Sequence, residues 1–259
     1  MRRSIALVVV LVLCVALLAG CNTGKEETTS TTDSKAATKT LVMGTNATFP
    51  PYEYVDDNGT IIGIDAEIAK AVCDKLGYEL QIKDMEFDSL IPAVQAGSID
   101  FAMAGMTVTD ERKESVDFTD SYATGVQVVI VKEDSAIKTV DDLKDKKIGV
   151  QSGTTGDIYC TDDYGQENVN QYANGALAVA ALVNGQVDCV VIDNEPAKAY
   201  VAANTGLKIL ETEYVTEDYA AAISKDNNAL LTEFNGALKE LIADGTVKTI
   251  VDKYIKADA

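Results

Sequence analysis

The feature that most constrains the fold of this chain is an internal repeat. Segment 91–104 reads IPAVQAGSIDFAMA, and segment 178–191 reads AVAALVNGQVDCVV. In each segment an apolar helical pattern ends at a glycine, two residues follow, and an aspartate leads into an apolar strand. The two glycines, Gly97 and Gly185, lie 88 positions apart. A fold with two similar halves accommodates both copies.

Short apolar runs alternate with helical patterns around both copies of the repeat. The sequence predicts strands over 40–44, 78–85, 99–104, 146–150, 168–172 and 187–193, and helices over 65–77, 87–97, 175–185, after Thr155, and over 228–255 with a break at Gly245. Repeated βα units favour mostly parallel sheets with helices on both faces. We therefore predict an α/β protein of two lobes, each a mostly parallel sheet flanked by helices, with a cleft between them.

The amino terminus has the pattern of a secretory signal. Arg2 and Arg3 precede an apolar run over 5–18, which is too short for a membrane span. The junction Leu-Ala-Gly-Cys at 18–21 is similar to a bacterial lipobox, whose cysteine receives lipid after cleavage. We predict a lipoprotein signal peptide over 1–20 and lipidation of Cys21, which would anchor the protein to the cell membrane on its extracytoplasmic face. The alternative is ordinary signal cleavage that leaves a free thiol.

The segment that follows is polar and has no large apolar residue, so we predict a flexible tether over 21–40. The chain carries 22 basic and 41 acidic residues and a formal net charge of −19. This balance offers no basic stripe to neutralise phosphates, and it argues against a nucleic-acid partner.

The chain has no histidine, which removes the commonest metal ligand and the usual general base. The cysteines at 73, 160 and 189 are widely spaced and form neither a disulfide framework nor a zinc pattern. A bond between Cys160 and Cys189 stays open. We predict no catalytic residue, no metal and no cofactor.

Arg112 occupies an unusual position in this sequence. Thr109 opens a predicted helix whose first turn favours negative side chains, and Asp110 and Glu111 supply them. The helix itself gains nothing from an arginine at that position. Arg112 does lie just past the predicted strand 99–104, and ligands of open α/β sheets bind beyond the carboxyl ends of strands.

A guanidinium presents a planar fork of donors that matches a carboxylate and keeps its charge when desolvated. The Thr107 hydroxyl and the amides around Gly105 could add donors beside Arg112. The alternative is an ion pair within the helix, with Asp110, Glu111 or Glu114.

The second half of the chain offers a matching anion site. In segment 148–157, IGVQSGTTGD, a predicted strand leads through Thr154 and Thr155 into a helix. The free N–H groups and the positive dipole of a helix amino terminus attract anions, although a plain threonine cap is the alternative. Asp193 ends another strand at the same edge of the sheet, where a carboxylate is costly unless a cation or donors meet it. Capping of the next helix is the alternative for Asp193.

Phe49 and Phe87 each follow a predicted strand. Both could be ordinary core residues. Because both lie just past strand ends, they could instead sandwich a ligand in the cleft.

Residues 41–256 resemble family 3 of the extracellular solute-binding proteins, the amino-acid receptors of bacterial ABC importers. The resemblance lies in the segments GTNATFPPYEY, GIDAEIAKAV, TVTDERKESVDFTDSY, IGVQSGTTGD and VIDNEPA. It implies a type II periplasmic-binding-protein-like fold. It also implies that Arg112 clamps the ligand α-carboxylate with the help of Thr107 and the amide of Thr155, and that Asp193 takes the α-ammonium. The aromatics Phe49 and Phe87 would stack on the ligand side chain.

Two amides bear on the identity of the ligand. Relatives that take basic amino acids, and some that take glutamine, carry aspartate at the position of Asn46. Gln151 matches another position that contacts the ligand side chain. Amides donate and accept, whereas a buried cation without a counter-charge is expensive. We therefore expect a neutral polar side chain such as that of glutamine. A basic amino acid or cystine stays open, since Glu53 or Asp88 could serve a cation.

The resemblance further implies crossing strands near 122–125 and 218–222. It gives a first lobe of 41–122 with 223–259 and a second lobe of 123–222. The predicted ligand-binding residues are Asn46, Phe49, Phe87, Gly105, Thr107, Arg112, Gln151, Thr154, Thr155 and Asp193.

We expect a monomeric lipoprotein that delivers a polar amino acid to a membrane permease and its ATPase subunit. The alternatives are a dehydratase-like enzyme on the same scaffold and a ligand-sensing domain.

Overall fold

A computed structural model of the protein describes residues 38–211 and 214–256. From Thr38 onward the chain forms one compact unit. The predicted signal peptide, Cys21 and all but the last residues of the predicted tether lie outside the described residues.

The described residues alternate strands and helices. The strands are β1 (Thr40–Thr45), β2 (Thr48–Phe49), β3 (Glu53–Val55), β4 (Ile61–Ile62), β5 (Glu79–Asp84), β6 (Phe101–Ala102), β7 (Val116–Phe118), β8 (Ala123–Lys132), β9 (Ile148–Gln151), β10 (Val169–Tyr172), β11 (Cys189–Asp193), β12 (Leu207–Ile209), β13 (Val215–Tyr219) and β14 (Ala222–Ser224). The α-helices are α1 (Ile64–Leu76), α2 (Leu90–Gln95), α3 (Asp110–Ser115), α4 (Thr155–Tyr164), α5 (Gly175–Val183), α6 (Asn194–Ala203), α7 (Asn228–Ala243) and α8 (Thr246–Tyr254).

Two larger sheets form the frame of the molecule. The first has the strand order β5-β1-β6-β14-β7, and the second has the order β10-β9-β11-β8-β12 with β13 also paired to β8. In each sheet the strands predicted from the sequence pair in parallel: β1 with β5 and β6, and β9 with β10 and β11. The remaining strands add antiparallel pairs, so each sheet is mixed. The predicted α/β class is confirmed.

The repeat in the sequence is also a repeat in the structure. Gly97 and Gly185 both end a helical turn with positive φ, at 68° and 71°, a conformation that glycine adopts without steric cost. The carboxylate of Asp100 then accepts the N–H of Val42 at 2.7 Å, and that of Asp188 accepts the N–H of Lys147 at 2.8 Å. In each half the aspartate therefore accepts a backbone N–H at the neighbouring strand, within β1 for Val42 and just before β9 for Lys147.

One predicted helix differs in its start. The pattern over 87–97 predicts a continuous helix, whereas Phe87–Ser89 forms a 3-10 turn and the α-helix runs only from Leu90 to Gln95. The tighter turn places Phe87 at the end of the segment that leaves β5. The three cysteines Cys73, Cys160 and Cys189 are buried and free.

Two long antiparallel strands run where the resemblance places the crossing segments. β8 pairs with β13, with Thr124 opposite Asp218 and Ala123 opposite Tyr219. After β13 the chain enters β14 in the first sheet, and α7 and α8 then pack against α1. The end of the described chain thus lies against the first half of the molecule.

Candidate ligand-binding site

A narrow cavity lies among residues at or just past the strand ends of both sheets. Its walls are formed by Asn46, Phe49, Glu53, Phe87, Ala104, Gly105, Thr107, Arg112, Gln151, Thr154, Thr155 and Asp193. All ten residues predicted from the sequence line this one cavity, although their contact with a ligand stays a prediction. The cavity also includes Ala104 and Glu53.

Arg112 reaches both halves of the molecule. Thr109 caps α3 by accepting the N–H of Arg112 at 3.1 Å, and the arginine side chain, only 7% exposed, turns inward. Its Nη1 donates to the Thr107 carbonyl at 2.7 Å, and its Nη2 donates to the Gly153 carbonyl at 3.0 Å. These contacts direct the guanidinium into the cavity from the edge of the first sheet.

The alternative of an ion pair within α3 is wrong for Arg112. Lys113 takes that role, with Nζ 3.0 Å from the Asp110 carboxylate. No carboxylate among residues 38–211 and 214–256 forms a salt bridge with Arg112. Burial lowers the pKa of the guanidinium, and the nearby carboxylate of Glu217 opposes that effect. The group stays charged because arginine titrates far above neutral pH.

The amino terminus of α4 faces the same cavity. Thr154 is the cap, since its hydroxyl accepts the N–H of Asp157 at 3.3 Å. Thr155 is the first residue of the helix, and its hydroxyl donates to Glu217 at 2.9 Å. The first N–H groups of a helix have no partner within the helix, so this end presents donors and a positive dipole.

Asp193 is the last residue of β11, and its side chain is 6% exposed. Its carboxylate accepts Nε2 of Gln127 at 2.9 Å and the hydroxyl of Tyr219. It makes no capping bond to α6, so the capping alternative is wrong. Burial raises the pKa of Asp193 to about 7, and the negative charge of Glu217 acts in the same direction. Its protonation therefore changes near neutral pH.

Glu217 is a buried carboxylate that the sequence analysis missed. Its Oε2 accepts Oγ1 of Thr107 at 3.1 Å, Oγ1 of Thr155 at 2.9 Å and Nε2 of Gln127 at 2.9 Å. One oxygen thereby ties two of the three threonines of the cavity, Thr107 and Thr155, to β13. Side chains alternate between the two faces of a strand, so Glu217 lies on the same face of β13 as the buried Tyr219. This alternation was the sequence signal that could have identified Glu217 as buried.

The two predicted aromatics approach the cavity from the first half of the molecule. The Phe87 ring centroid lies 5.3 Å from Cζ of Arg112, a distance at which a ring attracts a cation. Phe49 packs over Gly105, where an added Cβ would come within 2.9 Å of the ring. The N–H of Gly105 donates to the Asp65 carboxylate at 2.8 Å, so this amide already has an acceptor.

Asn46 and Gln151 bond to each other across the cavity. Oδ1 of Asn46 accepts Nε2 of Gln151 at 3.0 Å and the Thr48 hydroxyl at 2.9 Å. Nδ2 of Asn46 donates to the Met85 carbonyl at 2.9 Å. The Asn46 amide is thus held largely by the protein itself.

Glu53 lies on β3, beside Phe49 in the β2–β3 hairpin, and is 1% exposed. Its carboxyl group faces that of Asp65, which accepts the Tyr122 hydroxyl at 2.7 Å. Burial raises the pKa of Glu53 well above its usual range, and the charge of Asp65 adds to the effect. Burial also raises the pKa of Asp65, to about 6. The two groups therefore form a pair that can share one proton near neutral pH.

Over the described ranges, no set of three or more metal-binding side chains comes together. No helix of these residues has the length and apolar character that crossing a membrane requires.

Residues 41–257 match the family of bacterial extracellular solute-binding proteins, family 3. The chain is 34% identical over 230 residues to ABC transporter arginine-binding protein 1 of Escherichia coli K12, covering 87% of this chain and 94% of that protein. A solved substrate-binding protein of an amino acid ABC transporter superposes with a TM-score of 0.79 at 43% identity, covering 84% of this chain and all of the other.

The structure of an ancestral arginine-binding protein bound to glutamine superposes with a TM-score of 0.80 at 42% identity, covering 84% of this chain and 98% of the other. Sequence and fold agree over nearly the whole described region. The chain therefore belongs to family 3 of the bacterial extracellular solute-binding proteins.

Proposed function

We propose that this protein is the substrate-binding lipoprotein of an ABC importer and closes two lobes over a polar amino acid. The observation that carries the proposal is that a buried cation, Arg112, and a buried carboxylate that ends a strand, Asp193, lie in the walls of the same cavity. A zwitterionic amino acid carries one carboxylate, which matches Arg112, and one ammonium group, which matches Asp193. The binding functions of the relatives support the same reading.

In this proposal Arg112 holds the ligand α-carboxylate together with Thr107 and the amide of Thr155. Asp193 takes the α-ammonium, and the rings of Phe49 and Phe87 contact the side chain. The remaining predicted residues, Asn46, Gly105, Gln151 and Thr154, complete the walls.

Closure depends on how these groups are divided between the lobes. With boundaries at 41–122 plus 223–259 and at 123–222, Arg112 belongs to the first lobe and Asp193 to the second. Only the closed state then satisfies both charged ends of the ligand, and differential affinity of this kind shifts a conformational equilibrium. No covalent chemistry is needed.

The test is calorimetric titration of Arg112→Ala with the amino acid that the parent binds best. Truncation leaves a buried carboxylate without its partner, so we expect a loss of roughly 3–5 kcal/mol, or two to four decades in affinity. Lys113→Ala, which removes an exposed cation from the same helix, is the matched control and should bind as the parent does. Binding by a folded Arg112→Ala protein within threefold of the parent would refute the proposal.

The chemical identity of the ligand side chain is a separate part of the proposal. The Escherichia coli relative is an arginine-binding protein by name, and the ancestral relative was solved with glutamine. The sequence favours a neutral polar side chain such as that of glutamine, with a basic amino acid or cystine as alternatives. A thermal-shift screen of the amino acids ranks these options, because a ligand of the folded state raises the melting temperature.

Delivery to a permease and its ATPase subunit requires a position at the membrane, which we propose is supplied by lipid on Cys21. Cys21→Ala should appear in the soluble fraction of cells, whereas the parent should remain with the membrane. Mass spectrometry of the mature amino terminus should find a lipid on the parent only. An unmodified cysteine at the parent amino terminus would contradict this part of the proposal.

A further inference from the structure

Asp193 and Glu217 are two buried carboxylates that share one donor. Nε2 of Gln127 donates to Asp193 at 2.9 Å and to Glu217 at 2.9 Å. Asp193 lines the cavity, whereas Glu217 lies behind it, bonded to the wall residues Thr107 and Thr155. The two acids are 6% and 5% exposed, so water screens their charges poorly. Each charge therefore makes the ionised form of the other less favourable.

Asp193 is subject to opposing effects from its neighbours. Burial raises its pKa to about 7, the bond from Tyr219 lowers it, the charge of Glu217 raises it, and the bond from Gln127 lowers it. A donor favours the ionised form of a carboxylate, and a nearby negative charge favours the neutral form. One neighbouring charge and one shared donor thus help to decide how easily Asp193 takes up a proton.

The groups around the two acids do not neutralise them. The titratable and charged side chains that face Asp193 or Glu217 are Tyr52, Glu53, Arg112 of α3, Tyr159 of α4 and Tyr219 of β13. Burial raises the pKa of the three tyrosines, which therefore stay neutral near pH 7. Arg112 is the cation of this set, and its guanidinium donates to the carbonyls of Thr107 and Gly153. One positive charge therefore faces both carboxylates.

Resting on the proposed function, we infer that Glu217 is a positioning residue that acts on the ligand ammonium through Asp193 and makes amino-acid binding weaken on mild acidification. An ammonium pairs with the ionised form of Asp193, so a protonated Asp193 must first lose its proton. The carboxyl O–H bond breaks, the proton passes to solvent, and the carboxylate pairs with the ammonium. Because Glu217 makes ionisation of Asp193 harder, this proton loss opposes binding from near-neutral pH downward.

Glutamine and arginine are suitable probes, because both carry the α-ammonium and neither side chain titrates between pH 6 and pH 8. In titration calorimetry, we expect the parent to bind roughly tenfold more weakly at pH 6 than at pH 8, as linkage requires of a group that titrates near pH 7. Glu217→Gln keeps the size of the side chain and an acceptor oxygen but removes the charge. It should reduce this ratio to under about threefold.

Asp218→Asn is the matched control, because it removes an exposed negative charge from the opposite face of the same strand. It should keep the tenfold ratio of the parent. Gln127→Met removes the shared donor and should raise the ratio above tenfold. Opposite changes from two neighbouring residues indicate an effect on the charge of Asp193, since a general loosening of the site would weaken binding equally at both pH values.

Proton release supplies a readout that needs no variant. Titrations of the parent at pH 7 in phosphate and in Tris, which differ in ionisation enthalpy, should show the release of part of a proton on binding. Glu217→Gln should release less than the parent does.

Equal affinity of the parent at pH 6 and pH 8 would overturn the inference, as would a Glu217→Gln protein that keeps the tenfold ratio. If Glu217→Gln is unstable, Gln127→Met decides, and an unchanged ratio in that variant would overturn the inference. If neither probe binds, urea denaturation of the ligand-free proteins decides. The stability of Glu217→Gln should then fall less steeply from pH 5 to pH 7 than that of the parent, and an equal slope would overturn the inference. The proposed function itself fails only if the parent binds no amino acid at all, or if Arg112→Ala binds like the parent.

Discussion

The hydroxyl of Tyr219 donates one hydrogen bond to the carboxylate of Asp193. This bond favours the ionised carboxylate and therefore lowers the pKa of Asp193, against the larger opposite effect of burial. The ring of Tyr219 also packs edge-on against Tyr52, with centroids 5.1 Å apart. Replacing the tyrosine by phenylalanine keeps that ring contact and removes only the donor.

We predict that Tyr219→Phe raises the pKa of Asp193 above its value of about 7 in the parent. At pH 7 a larger fraction of Asp193 is then neutral and cannot hold an ammonium, so amino-acid affinity should fall roughly tenfold. The affinity should recover toward that of the parent at pH 9. Calorimetric titrations at both pH values measure this. The control is Tyr254→Phe, which removes a partly buried hydroxyl of α8 outside the cavity. A loss of equal size at both pH values would show that the hydroxyl does not act through ionisation.

Individual residues differ in how far the sequence reveals them. Arg112 was predictable because a positive side chain contradicts its local helix, and that conflict is visible within a few residues. Glu217 was not, since its three donors lie 110, 62 and 90 positions away along the chain. A carboxylate in a polar stretch looks like a surface residue until the strand is placed beside its partners.

At the scale of elements, local periodicity predicted the parallel strands and the helices between them. In each half a backbone N–H near the first of these strands, that of Val42 or Lys147, donates to the aspartate that precedes the third strand, Asp100 or Asp188. The same contact occurs in both halves of the molecule, so the repeated sequence pattern predicts the same local structure twice.

Local periodicity did not predict the antiparallel strands, although the resemblance places crossing strands near the start of β8 and the end of β13. β8 pairs with three strands, β11, β12 and β13, all of which follow it by more than fifty residues. Nothing in the local pattern of Ala123–Lys132 specifies these partners. No strand of the short β2–β3–β4 meander, which carries Phe49 and Glu53, was predicted, although the Asp-Asn-Gly sequence at 57–59 indicates a hairpin turn. Glu53 was therefore predicted only as an alternative partner for a cation.

At the scale of the whole molecule, the two halves meet through side chains that also form the cavity. Gln151 bonds to Asn46, Arg112 bonds to Gly153, and outside the cavity the Tyr200 hydroxyl donates to the Thr48 carbonyl at 2.5 Å. Because the same contacts shape the site and join the halves, a ligand that strengthens one also favours the other. Under the proposed function, ligand binding and closure would therefore be coupled.

The buried acids also determine how stability depends on pH. Burial raises the pKa of Asp193 to about 7, that of Asp65 to about 6, and that of Glu53 well above its usual range. The unfolded chain loses these protons near pH 4, whereas the folded protein keeps them to higher pH. Between these values the folded state binds more protons, so rising pH favours unfolding. Exposed acids with lowered pKa values, such as Asp56, act mainly below pH 4.

We therefore predict that the free energy of unfolding of the ligand-free protein falls by a few kcal/mol, on the order of 3, between pH 4.5 and pH 7.5. Urea denaturation followed by circular dichroism at several pH values measures it. General repulsion among the many negative charges acts in the same direction, so Asp193→Asn is the discriminating control. This variant removes the titration of Asp193 and should flatten the profile. A bound amino acid should flatten it as well, because its ammonium favours the ionised Asp193. A parent that gains stability throughout this range would contradict the raised pKa values, since the unfolded state would then bind the extra protons.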